Sequence, residues 1–403
     1  MSIPLSGIDA ATTDLNAISN NIANASTTGF KSSTAEFASV FAVSPYGVSN
    51  VQTGNGVAVA DVAQQFAEGN IQTTSDDLDM AISGQGFFIT NNAGTTEYTR
   101  NGSFQENADG TVQTASGAAL QVYPPNAAGG FDLGTLTTLK IPSGASAPLA
   151  TTTGTLTMNL PSGSAVPTVT PFSTSNSASY TDSTSMTVYD SLGAAHTATL
   201  YFSQTSTANQ WTAQLAIDGN VVGNPQTLDY SQSGLLTTPA SGNLNFGSYT
   251  PATGANPLDI TFNVSQSTQF GATFGVTAVT QNGYTTGQLT GVNVSTTGVV
   301  QAQYTNGQAV SLGQVAIANF ANPQGLQQLS DTSWAPTYSS GVAVQGQAGS
   351  SGLGQIQSGA LESSNVDLTA QLVDMITAQQ AFQANSQAIT SNDQDIQTIL
   401  HIQ

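Results

Sequence analysis

Apolar residues recur at helical spacing in two stretches of this chain, one at each end. Near the N-terminus Ile8, Ala11, Leu15, Ile18, Ile22 and Ala25 follow one another at alternating intervals of three and four. Near the C-terminus Leu368, Met375, Phe382, Ile389 and Ile396 repeat at a strict interval of seven, with Leu372 and Leu400 beside them. Each series lays one apolar stripe along a helix, the pattern of a coiled-coil seam. A lone helix has nothing to bury such a stripe against. The two ends are therefore expected to pair with each other and with neighbouring copies.

Between these ends the period changes from helical to alternating. A helix is expected over residues 1–27, stopping before Thr28-Gly29, where glycine can take the left-handed cap conformation. Residues 29–80 carry little regular pattern and read as an irregular connecting segment, with turn signals at Ser44-Pro45-Tyr46-Gly47 and Gly54-Asn55-Gly56. From Ala81 onward the chain reads as β. Asn101-Gly102, Asp109-Gly110, Asp218-Gly219, Asn282-Gly283 and Asn306-Gly307 are hairpin-turn dipeptides. Trp211, Ala213, Leu215 and Ile217 alternate on one face of a strand leading into one of them. Met186–Tyr189 and Thr197–Phe202 flank a turn at Asp190-Ser191-Leu192-Gly193. Composition shifts near 142–175 and again near 250–258. Ser364 and Asn365, with Asp367 in the first turn, should cap the last helix.

The expected architecture is mainly β with α-helical termini. The terminal helices (1–28 and 364–403) pair as a coiled coil, and nested β domains lie between them. A middle β domain takes 81–145 and 281–363, and an outer β domain is inserted at 146–280.

Charge narrows the function. The 403 residues include 23 acidic and only 3 basic side chains, Lys31, Arg100 and Lys140, for a formal net charge of -20. Nucleic-acid binding needs a Lys/Arg footprint and is excluded as a class, and anionic membrane is disfavoured for the same reason. No cysteine is present, so neither disulfides nor thiolate metal sites can form. No run of apolar residues is long enough to span a bilayer, so membrane insertion is not expected. The first residues do not read as a cleaved signal peptide. A Thr/Ser/Asn-rich chain almost without lysine nevertheless resembles a surface protein, and leaderless export by a dedicated machine reconciles the two.

Catalytic patterns are weak. His196 and His401 are the only histidines, and His196 reads as a turn residue, exposed or hydrogen-bonded. Gly352-Leu353-Gly354 opens like a dinucleotide fingerprint, but Gln357 breaks it. Asp76, Asp77 and Asp79 lack the glycine and ligand spacing of a calcium loop and read as a solvated, strand-leading cluster. No catalytic residue, cofactor site or metal site is expected. Gln371, Gln379, Gln380, Gln383, Asn385, Gln387, Asn392 and Gln394 replace the usual ion pairs beside the C-terminal seam. They read equally as a soluble face or as a neutral lining past which unfolded chains could slide.

The run Asn20-Asn21-Ile22-Ala23-Asn24-Ala25-Ser26-Thr27-Thr28-Gly29-Phe30-Lys31 resembles the N-terminal signature of bacterial flagellar axial proteins, the rod and hook subunits. The resemblance continues through Ser83–Phe88 and Tyr98–Phe104 and closes at Gly359–Leu368. The length of the insertion and the segments Val188–Gly193, Gly283–Leu289, Tyr304–Gly307 and Leu312–Phe320 are similar to the hook branch of that family.

The resemblance implies a structural subunit, not an enzyme. It would polymerise into a curved hollow tube that passes motor torque from rod to filament and encloses the export channel. The implied partners are other copies, distal rod, hook cap, hook-length control and hook–filament junction proteins, and the flagellar type III export apparatus. The implied location is extracellular. Within this frame Ile8, Leu15, Ile18, Ile22, Leu368, Leu372, Met375, Phe382, Ile389 and Ile396 are the expected packing residues. Asn20, Asn21, Asn24, Thr28, Gly29, Phe30 and Lys31 are the expected joint to the middle domain. A distal rod subunit and an extracellular adhesin or glycan-binding β protein are the alternatives.

Overall fold

The computed structural model describes residues 2–40, 54–350 and 352–401. The Ser44–Gly47 turn and the Leu400 side chain fall outside what is described. The chain is mostly β, with a helix near each end: α1 (Ser2–Ala23) and α2 (Leu368–His401). α2 is about 50 Å long at 1.5 Å per residue. α1 stops at Ala23, earlier than its apolar spacing suggested. The Asn24 side chain donates to the Asn20 carbonyl, and the Thr27 hydroxyl donates to the Asn24 side chain. These local bonds compete with helix continuation. At the other end Asp367 itself caps α2, accepting from the amides of Thr369 and Ala370 at 2.8 and 3.2 Å. Ser364 and Asn365 therefore lie before the helix and do not cap it.

Two compact units divide the chain: residues 1–143, 291–303 and 309–403, and residues 144–290 with 304–308. The first unit holds the helices and the middle β structure together. The irregular segment expected over 29–80 instead contains an antiparallel hairpin, Ser33–Ser39 with Val57–Gln64. Short residues such as Ala35 and Ala63 bury its inner face, a pattern that a search for large apolar residues passes over.

The central strand of the first unit, Ala309–Asn319, pairs along its length with Val299–Tyr304, Ala119–Tyr123, Phe87–Asn92 and Val344–Gln347. Its core is aromatic. Phe87 meets Phe66 and Trp334 edge-to-face at 5.6 and 5.5 Å, and Tyr98 meets Phe320 at 4.9 Å, geometries that suit the ring quadrupoles. The outgoing and returning chains pair directly, Ile71–Thr73 with Ala360–Glu362 and Met80–Ser83 with Gln355–Ser358. These pairings bring residues about 300 positions apart to one place.

The second unit has two five-stranded sheets. One is a meander running from Asp182–Tyr189 to Leu236–Thr238. The other is centred on Thr153–Pro161, flanked by Leu258–Asn263, Thr268–Phe270 and Gly275–Gln281. Leu156, Phe202, Trp211 and Phe262 lie in one core. The strand Gln210–Ile217 is buried on both faces over its last residues, not on one as alternation suggested. The Asp218-Gly219 turn has φ of 50° and 79°, as a tight hairpin of this type requires. Asn101-Gly102 and Asn282-Gly283 are not hairpin turns. Their glycines instead sit where backbone crowds in, Gly102 against the Met80 carbonyl and Gly283 against Thr151.

Candidate functional site: the helix pair and its buried joint

The site is built from the two chain ends and the segment that joins them to the β structure. α1 and α2 pack antiparallel. Asn21 Nδ2 donates to Gln371 Oε1 at 2.9 Å, and Gly7 lies against the Asn385 side chain. The two contacts are equally far apart along each helix, about four turns, so the register is regular. Gly7 leaves the space that Asn385 occupies. α1 buries Ala10, Ala11, Ala17 and Ile18, with Ile8, Leu15 and Ile22 half-buried. On α2, Ala378 is buried and Gln371, Met375, Asn385 and Ile389 are half-buried.

This seam shares Met375 and Ile389 with the heptad read from sequence, but it alternates them with Gln371, Ala378 and Asn385. Those three also repeat every seven residues. A search for large apolar residues missed them because two are polar and one is small. Phe382 remains 38% exposed and Ile396 40%. Leu368, Leu372, Val373 and Ile376 are about half exposed. With Ser2 level with roughly residue 390, the last three turns or so of α2 extend past the start of α1.

Asp14 faces Asp374 across the pair. Burial first, and then the Asp374 charge, push the Asp14 carboxyl above its usual value. Protonation of this group favours the paired helices.

The joint is ionic and almost fully buried. Glu362 is fully buried, Lys31 is 1% exposed and Arg100 4%. Lys31 Nζ donates to Glu362 Oε1 at 2.6 Å and to the Ala67 carbonyl at 2.7 Å. The Gly69 amide donates to the same Glu362 oxygen. Arg100 Nη1 donates to Glu362 Oε2 at 3.2 Å and to the Ile82 carbonyl, while Nη2 donates to the Gly84 carbonyl at 2.7 Å. The guanidinium also stands 5.5 Å from the centre of the Phe87 ring, within cation–π range. Burial pulls the Lys31 ammonium below the usual lysine value, against the opposing pull of Glu362.

One carboxylate thus holds two of the chain's three Lys/Arg residues. It ties the end of α1, the middle β structure and the strand that returns to α2. Charges this deep are tolerated because each is paired and hydrogen-bonded.

The signature residues surround this knot. Gly29 has φ of +69°, and its amide donates to the Glu362 carbonyl at 2.8 Å. A Cβ at Gly29 would lie 2.5 Å from the Asn101 amide nitrogen, so glycine is required by both backbone conformation and space. Asn21 exchanges side-chain bonds with the Ser33 backbone, donating to its carbonyl at 2.7 Å and accepting from its amide at 2.8 Å. Phe30 is buried, Thr28 half-buried, Asn24 closes the helix end and Asn20 is exposed. Asn365 accepts from the Ser32 amide and donates to the Gln65 carbonyl, stitching the returning strand to the outgoing one. Sequence reading missed Arg100, Glu362 and Asn365 as members of this joint. Their signal was present in the resemblance segments but carried no periodicity.

Among the described residues no group of three His, Cys, Asp or Glu side chains could hold a metal ion, and no helix is long and apolar enough to cross a membrane.

Four family models match in chain order. They are the flagella basal body rod protein over residues 2–31 and the flagellar hook protein FlgE/F/G D1 domain over 81–158. The flagellar basal body protein FlaE D2 domain follows over 159–284, and the flagellar basal body rod FlgEFG protein C-terminal model over 357–402. The chain is 39% identical to the flagellar hook protein FlgE of Escherichia coli strain K12, over 99% of this chain and 98% of that one. It is 32% identical to that of Rhizobium meliloti, over 99% of this chain and 97% of the relative. The crystal structure of Helicobacter pylori flagellar hook protein FlgE2 shares the fold at a TM-score of 0.55 and 12% identity, covering 72% of this chain and all of that one.

Proposed function

We propose, for a chain that belongs to the flagellar hook protein family, that it is a structural subunit of the bacterial flagellar hook, self-assembling into a curved hollow tube. Its terminal helices line the export channel. The β units build the wall and outer surface, where contacts slide as the tube turns. The hook couples rod to filament and works with rod, cap, length-control and junction proteins. The subunit reaches the growing tip through the flagellar export apparatus.

The observation that carries this reading is the apolar face left open on α2. Leu368, Leu372, Val373 and Ile376 are 48%, 52%, 56% and 54% exposed although α1 is already docked. On α1, Ile3 and Leu5 are 50% and 53% exposed. Apolar positions at i, i+4 and i+8 form a continuous stripe, and covering it with another copy contributes on the order of 1.5–3 kcal/mol per fully buried side chain. The chain therefore completes its burial by assembling.

Electron microscopy of the full-length protein beside a chain ending at Ser364 tests this. Curved hollow tubes from the full-length chain alone are expected. Straight tubes would indicate a rod-type driveshaft, and monomers under all conditions, with cap protein supplied, would refute a self-assembling subunit.

A further inference from the structure

The second unit contains five aspartates, no glutamate and no Lys or Arg. Its one histidine, His196, is 7% exposed and lies between two of those aspartates. Nδ1 stands 2.6 Å from Asp218 Oδ2, and Nε2 stands 3.3 Å from Asp190 Oδ2. Asp190, fully buried, also accepts from the Thr253 hydroxyl at 2.7 Å and from the amides of Leu192 and Ala194, both at 2.9 Å. Asp218 accepts from the Thr197 amide at 2.9 Å and from the Tyr249 hydroxyl at 3.4 Å. The groups that face His196 from the surrounding strands and loops are therefore Asp190, Asp218 and Tyr249, and none is basic.

The cluster draws on both sheets of the unit, which also share one core. Asp190 closes the turn after Asp182–Tyr189, His196 opens the next strand, and Asp218 sits in the Asp218-Gly219 hairpin. All belong to the meander sheet. Thr253 and Tyr249 come from the opposite sheet, after and at the end of Asn243–Tyr249. The same turn is tied to the segment just before Thr153–Pro161. Thr151 exchanges bonds with the Tyr189 backbone, and Gly193 lies against Pro148. Leu149 in turn pairs with Tyr284.

We propose that Asp190, His196 and Asp218 form an imidazolium clamp that fastens the two sheets of this unit at the Asp190–Gly193 turn and opens when the ring loses its proton. Only the doubly protonated ring can donate to both carboxylates at once. In the neutral ring one nitrogen becomes an acceptor. With the proton kept on Nδ1 toward the closer Asp218, the Nε2 lone pair faces a buried carboxylate oxygen, and that contact becomes repulsive.

The electrostatics agree with the geometry. Burial lowers the His196 affinity for a proton, but hydrogen bonds and charge from Asp218 and Asp190 outweigh it and hold the ring above its ordinary value near 6.5. Burial likewise opposes the Asp190 charge, yet the Thr253 hydroxyl, the Ala194 and Leu192 amides and His196 bring it down to about 2. Asp218 is lowered in the same way, burial being outweighed chiefly by His196 and the Thr197 amide. The histidine contribution is thus complete below its ordinary value and is lost as pH rises through the raised one. The carboxylate contribution is present above their ordinary value near 3.8 and is lost in strong acid.

The test is an NMR titration of the full-length protein with labelled histidine, free histidine serving as the reference. The His196 signal should titrate above the ordinary histidine value near 6.5, and Asp218→Asn should move its midpoint downward. Heat unfolding of the wild type should become easier as pH rises above the ordinary histidine value near 6.5 and through the raised one, and His196→Gln should flatten that dependence. A His196 midpoint at or below the ordinary value near 6.5, or one unmoved by Asp218→Asn, would overturn the clamp. These two titrations decide the matter even if His196→Gln fails to fold.

Discussion

At the scale of single residues, the chain spends its rare cations where they cannot meet solvent. Lys31 and Arg100 are buried on Glu362, and of the three Lys/Arg residues Lys140 alone is exposed. A buried carboxylate with two cationic partners contributes through mutual satisfaction. Removing its charge strands both partners, which typically costs about 3–5 kcal/mol. Glu362→Gln is therefore expected to destabilise the first unit by that order, read as a lowered denaturant midpoint of the full chain. Gly29→Ala should also destabilise, because alanine meets both an unfavourable φ and the Asn101 backbone. Of this site, the residues from Asn20 to Lys31 were legible in the sequence as a dense local signature. Glu362 and Arg100 were not, because an ion pair between residues hundreds of positions apart leaves no mark in local spacing.

Elements show a different balance. The helices were legible because amphipathic spacing is a local property, and so was the tight Asp218-Gly219 hairpin. The exact seam was not. The heptad marked Leu368, Met375, Phe382, Ile389 and Ile396 but passed over Val373 and Ile376, and the structure divides the large apolar residues of α2 between the α1 contact and an open face. Ala378, Asn385 and Gln371 complete the inner seam where α1 presents its buried alanines, Gly7 and Asn21. Phe382→Asp places a charge at the edge of that seam and is expected to abolish assembly while leaving the β signal of circular dichroism unchanged. Tubes at normal yield would contradict that expectation. Asp14 makes the opposite prediction. Its carboxyl is raised by burial and by Asp374, so its contribution favours pairing in acid and is lost as pH rises through the raised value. Asp14→Asn should stabilise the helix pair at neutral pH and have no effect near pH 3, checked by thermal melts of the helical signal.

For the whole molecule, charge sets the terms of assembly. A formal charge of -20 per subunit, with nearly every exposed charge negative, makes copies repel one another. Contacts between them must be apolar or hydrogen-bonded, as the open face of α2 permits. Sedimentation of assembled protein should show yield rising with ionic strength, since screening shortens the repulsion to about 10 Å at 0.1 M salt. Yield should rise again as pH approaches about 4, where carboxylates take up protons. A yield independent of both would mean that the acidic side chains face away from every intersubunit contact.

The sequence by itself determined what depends on neighbours along the chain: helical ends, β strands between them, the Asp218-Gly219 turn, and an overwhelming negative charge. It also carried the family resemblance in short ordered motifs. Tertiary structure alone decided which distant residues share one place: Glu362 with Lys31 and Arg100, His196 with Asp190 and Asp218, and Gly7 with Asn385. The reason is physical. Local conformation follows from sterics and periodicity over a few residues, whereas burial and charge pairing depend on where sheets and helices finally pack.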